Sequence, residues 1–155
     1  MTINVSQDTL TIDVVTQQPA VDIVTQTLSL DVASGGIVPA NIDLAAEAGV
    51  NLSALRVVRL DAANKAVYAD NDTAANANAV GITTSAASAG ATAAIRYAGL
   101  LEDAGWSWTQ GPIYIGIGGT LTQTAPAGGL IVREVARAIS ATKIIIDIEP
   151  LIQTV

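Results

Sequence analysis

Apolar residues recur at every second position through the first 32 residues of the chain. Ile3 and Val5, then Leu10, Ile12 and Val14, then Leu28, Leu30 and Val32 fall on alternate positions, with Thr11, Asp13, Thr27, Ser29 and Asp31 between them. Successive side chains of a β-strand point to opposite faces, so this pattern belongs to strands with one buried face. The segment also repeats itself: VSQDTLTIDV from Val5 to Val14 returns, one residue shorter, as VTQTLSLDV from Val24 to Val32. The duplication predicts two equivalent strands, joined through Gln17-Gln18-Pro19 and the step Val21-Asp22-Ile23. A two-stranded ribbon is marginal in water because it supplies only one side of a core. The apolar face of Ile3, Val5, Leu10, Ile12, Val14, Leu28, Leu30 and Val32 is therefore expected to meet the main domain or another subunit.

Ser34-Gly35-Gly36 followed by Pro39 interrupts the alternation and marks a boundary between an N-terminal β arm, 1–38, and a second unit, 39–155. Ile42 to Val50 (IDLAAEAGV) contains good helix formers behind a possible Asn41 cap. Its apolar positions share no single helical face, so an extended or single-turn segment is expected. From Ser53 onward the chain reads as short β-branched runs separated by Gly, Asn, Asp or Ser: SALRVVRLD, KAVYAD, VGITTSA, TAAIRYAGLL, GPIYIGIGGTLTQT, LIVREVARAI and KIIIDIEPLI. In the last run Ile144, Ile146 and Ile148 share a face, with Asp147 and Glu149 on the other. Val132 to Ile139 has helix-favouring Ala, Arg and Glu, but only Ser140-Ala141-Thr142 separates it from that strand, which predicts a hairpin. The fold class expected is all-β, a short-stranded β-sandwich or barrel-like domain of about seven to nine strands, preceded by the arm.

Composition narrows the function. Seven Lys and Arg stand against fourteen Asp and Glu, a net charge of -7 that disfavours binding to nucleic acid. Cys and His are both absent, which removes disulfides, thiolate zinc sites, imidazole bases and the Ser-His-Asp and Cys-His arrangements. The uncharged stretches Thr73 to Ile95 and Ala104 to Val132 are too rich in hydroxyl and amide groups to read as membrane spans. The N-terminal MTINVSQDTL carries neither a basic residue nor an apolar run of signal-peptide length, so synthesis in a cytoplasm without export is expected.

Motifs that touch known chemistry have simpler explanations. Asp70-Asn71-Asp72 starts like a calcium loop, but Ala75 stands where that loop needs Gly and Gly81 where it needs Glu, so a solvated turn is expected. Gly116, Gly118 and Gly119 resemble part of a dinucleotide loop, yet TLTQTAPAGG cannot open the helix that would hold a phosphate. Glu102 and Asp103 would point to opposite faces of a strand, unlike a glycosidase pair, and are expected in a loop before Gly105. Arg133, Glu134 and Arg137 read as an exposed strand face. Trp106 and Trp108 fall on one face of an extended segment and are candidates for a surface contact with carbohydrate or protein; covering the end of a core short of large side chains is an equal alternative.

The succession SALRVVRLDAANKAVYAD, AVGITTSAASAGATAAIRYAG, GPIYIGIGGTLTQTAP and VARAISATKIIIDIEP, from Leu52 to Pro150, resembles a β domain of structural proteins of tailed bacteriophages. The alternating arm is similar to the virion-proximal ends of such proteins. The resemblance implies a non-enzymatic virion protein without cofactor, metal, nucleic acid or membrane. Its implied role is a capsid decoration (cement) protein, a homotrimer on the outside of the head that bridges subunits of the major capsid protein. A head-fibre or tail-fibre module with a trimeric N-terminal stem is the alternative, and a glycan-binding domain a third class.

Overall fold

The computed structural model describes residues 41–128 and 130–148. Nine strands form there: β1 (Ile42–Glu47), β2 (Val57–Leu60), β3 (Ala66–Tyr68), β4 (Gly81–Thr83), β5 (Thr92–Glu102), β6 (Gly111–Ile115), β7 (Leu121–Thr122), β8 (Glu134–Ala138) and β9 (Lys143–Ile146). A 3-10 turn at Ile117–Gly119 precedes β7. The strands pair antiparallel in the order β3-β2-β4-β5-β9-β8-β6-β7, with β1 also on β5, and the sheet curls into a half-barrel. The fold is all-β. No helix among the described residues is long and apolar enough to cross a membrane.

Strand β5 ties the two ends of the sheet together. Its first half pairs with β1, Leu44 opposite Ile95 and Ala46 opposite Ala93, and with β4, Ile82 opposite Arg96. Its last residues pair with β9, Leu101 opposite Ile144. Between the halves, Gly99 takes φ 110, a conformation that side chains disfavour, and lets one strand serve two differently oriented ladders.

The chain beyond β1 curls back onto β3: Ala48 bridges Ala66, and Gly49 N donates to Ala66 O at 2.8 Å. The succession β1, β5, β4, β2, β3 therefore meets itself, and around Ala48, Leu52, Val58, Ala66, Ala93 and Ile95 it encloses a small core. Such tight closure needs small side chains. A Cβ on Gly49 would lie 2.9 Å from Val67 Cγ1, which accounts for the alanine and glycine at the seam.

A second, larger core lies between β2, β4 and the end of β5 on one side and β6, β8 and β9 on the other, built from Val57, Ile82, Leu101, Ile113, Ile115, Val135, Ile144 and Ile146. Val57 and Val58 are both fully buried, so β2 has a core on each face. Full burial of an isoleucine stabilises by roughly 1.5–3 kcal/mol, and Ile82, Ile95, Ile113, Ile115 and Ile144 are all at that limit. Aliphatic packing does here what aromatic residues do in most cores.

The expected strands fall where the alternation puts them, including β8 in the helix-like Val132 to Ile139 and β9 after the Ser140-Ala141-Thr142 turn. Ile144 and Ile146 are buried, Ile148 packs on the same core and Asp147 is exposed. Of the two forms expected for Ile42 to Val50, the extended one occurs as β1. The N-terminal arm, 1–38, with its candidate interface residues Ile3, Val5, Leu10, Ile12, Val14, Leu28, Leu30 and Val32, lies outside the described residues.

Candidate functional site

An open groove of 270 Å³ is lined by Ala54, Leu55, Arg56, Trp106, Trp108, Thr120 and Leu121. The two indoles stand with ring centroids 5.8 Å apart and planes tilted by 53°. Both rings also pack against the larger core. The segment that carries them is irregular, and hydrogen bonds fix its path: Asp103 N donates to Thr142 O at 3.0 Å, Trp106 N to Asp103 O at 3.2 Å and Trp108 N to Ala141 O at 2.9 Å. The β8–β9 turn is the support of the tryptophan pair.

The facing wall depends on a buried hydroxyl. Thr83, fully buried at the end of β4, accepts a hydrogen bond from Arg56 N at 3.0 Å and donates to Ser53 O at 2.7 Å. Leu55 N donates to Thr83 O at 2.8 Å. These bonds hold Leu55 at φ 59, left-handed backbone that a branched side chain adopts only under constraint. Sequence reasoning missed Thr83, because in VGITTSA it looks like an ordinary β-former.

Charge at the groove is concentrated in Arg56. Lys65 pairs with Glu47, Arg96 with Asp43, Arg137 with Glu134 and Lys143 with Glu102, but among the described residues no carboxylate pairs with Arg56. Trp108 Nε1 is buried and has no hydrogen-bond acceptor among them either.

The other candidates resolve into structural roles. Asp70 accepts from Asn71 N at 2.8 Å and from Gly118 N at 2.9 Å, while Asp72 accepts from Asn76 Nδ2 at 3.0 Å, a bond that holds its carboxyl below the usual carboxylate range. These carboxylates brace a turn. Gly118 and Gly119 take φ 61 and 71, and a Cβ on Gly119 would lie 2.4 Å from Val57 O, so glycine is needed for the close approach of this turn to β2. Glu102 ends β5 and pairs with Lys143 at 3.3 Å, which places it on a strand where a loop is expected; Asp103 Oδ1 accepts from Gly105 N at 2.8 Å in the turn that follows.

Arg133 corrects the sequence reading. It is buried, and its Nη1 donates to Ala77 O at 2.6 Å. Burial pushes its guanidinium pKa down. Val135 and Ala136 are both buried, and the β6–β8 register shifts between Ile113 and Tyr114. That irregularity reverses the alternation, so Arg133 goes inward with Val135 while Arg137 stays outside, 3.2 Å from Glu134 in the same chain.

A second surface feature lies where the arm joins the domain. Counting by twos, Ala93 and Ile95 in the small core continue to Tyr97, and half-buried Ala46 continues to Leu44. Tyr97 is 48% exposed and Leu44 37%. Ile42, one residue from the end of the described segment, is 51% exposed. Leu44 and Tyr97 thus lie where the apolar row of the small core reaches the surface, and the pairing shifts register just beyond, with Asp43 opposite Arg96 and Ile42 opposite Ala98. Asn41 is anchored there, its Oδ1 accepting from Leu100 N at 2.8 Å.

No family model, curated protein or solved structure matches this chain.

Proposed function

We propose that this chain is a non-enzymatic structural protein of a tailed-phage virion: a capsid decoration protein that binds the outside of the head as a homotrimer and bridges major capsid subunits. The observation that carries the reading is the exposure of the apolar side chains Ile42, Leu44 and Tyr97 on β1 and β5, the first strand after the alternating arm and its partner. An arm whose sequence is patterned as amphipathic strands, followed in the chain by an exposed apolar patch, suits a protein partner. The all-β fold is of the class that the resemblance to phage virion proteins implies. Specific interfaces bury about 1,600 Å², and three arms on one trimer multiply a modest contact into firm attachment. The same surface wound about a threefold axis would make a fibre stem, which is the alternative.

Removal of residues 1–34 tests the reading. The truncated chain is expected to keep the far-ultraviolet circular dichroism of a β domain and to lose head binding or the trimeric state. Unchanged occupancy on heads would overturn the role of the arm.

A further inference from the structure

The geometry points to the Trp106–Trp108 groove as a binding site for an acidic sugar, one uronate ring of a polysaccharide. Four observations converge there. The tilted indoles present flat apolar faces, against which the C–H face of a sugar ring packs. The volume, 270 Å³, lies just under the roughly 300 Å³ at which clefts for drug-sized ligands begin, a size for one ring. Arg56 is a cation without an acidic partner among the described residues, in a chain of net charge -7. Leu55 is held in left-handed backbone on the wall beside it, and strain of this kind collects at binding sites.

The hydrogen-bond inventory selects the ligand. The backbone N–H groups of Leu55, Arg56, Trp106, Trp108 and Thr120 are all engaged within the protein. The Thr120 hydroxyl donates to Ile117 O at 3.0 Å. The cationic side chain on the groove is the Arg56 guanidinium, a donor that no carboxylate among the described residues pairs with. Its ligand must bring acceptors, and a carboxylate on a ring supplies them to a guanidinium in paired geometry. A neutral sugar would keep the stacking and lose the charge.

Tryptophan fluorescence of the full chain, titrated with tri-galacturonate, reads this site directly. Saturable quenching is expected, together with binding of neutral maltotriose about tenfold weaker or more, the difference one charged hydrogen bond makes. Arg56→Gln should remove the preference for the acidic sugar while circular dichroism and the thermal midpoint hold. Trp106→Phe, which keeps a packed ring, should weaken both sugars. Absence of quenching by either sugar, equal affinity for the two, or an uronate preference that survives Arg56→Gln would each overturn the assignment. So would a tri-glutamate peptide that binds as tightly as tri-galacturonate, which would make the groove a site for acidic protein segments.

Discussion

Thr83 and Asp43 show how unequal two polar residues of the same sheet are. The Thr83 hydroxyl serves Arg56 N and Ser53 O from a fully buried position, so Thr83→Val strands two backbone groups. A loss of about 1–3 kcal/mol is expected in urea unfolding, along with altered tryptophan emission as the facing wall relaxes. Thr83→Ser should recover most of it. Asp43 instead lies on the surface, bound through both oxygens by Arg96 at 2.8 and 3.1 Å. That hydrogen bond, more than the charge alone, holds its carboxyl below its ordinary 3.8 and raises the guanidinium in turn. A carboxyl depressed in the folded state adds stability above its unfolded pKa and surrenders it as pH falls through the folded one. Asp43→Asn should therefore destabilise by less than about 1 kcal/mol at neutral pH, as suits an exposed pair, with the difference from the parent vanishing in acid below 3.8. Urea midpoints measured across that range decide it.

Among elements, β4 and β5 approach each other closely. A Cβ on Gly81 would stand 2.5 Å from both Arg96 O and Ile95 Cγ2, so Gly81→Ala must push the two strands apart. The expected loss is about 1–3 kcal/mol, the range for overpacked cores. At Gly90 a Cβ meets open space, and Gly90→Ala should show only the roughly 1 kcal/mol tied to its φ of 82. Comparison of the two thermal midpoints separates steric clash from backbone strain. Strand positions such as Lys143–Ile146 were legible because alternation survives in the sequence wherever one face is wet. Arg133 was illegible because a register irregularity reverses that alternation without leaving a Gly or Pro to mark it. The Ala48 to Ala66 closure was hidden for a different reason: a single parallel bridge across 18 residues depends on curvature that only the assembled sheet possesses. At the groove, Trp106 and Trp108 stood out as an aromatic pair in an aromatic-poor chain, whereas Arg56 and Thr83 gained meaning only through their neighbours.

At the scale of the whole described domain, a sheet curled into a half-barrel, with the chain after β1 bridged to β3 at Ala48 and Ala66, has fewer of the open edges that invite indiscriminate pairing. Among the large apolar side chains that the described domain leaves exposed are Ile42, Leu44 and Tyr97, close in the chain to an arm, 1–38, whose first 32 residues are patterned for strands. Those features are economical if a shell or sister subunits cover them. Leu44→Lys combined with Tyr97→Lys should leave the isolated domain folded, since both side chains are substantially exposed, and should cut attachment to heads at least tenfold. The central measurement is light scattering coupled to size exclusion on the full chain, alone and after mixing with undecorated heads. The account predicts a trimer that co-elutes with heads. A monomer, or a trimer that passes the heads by, would contradict it.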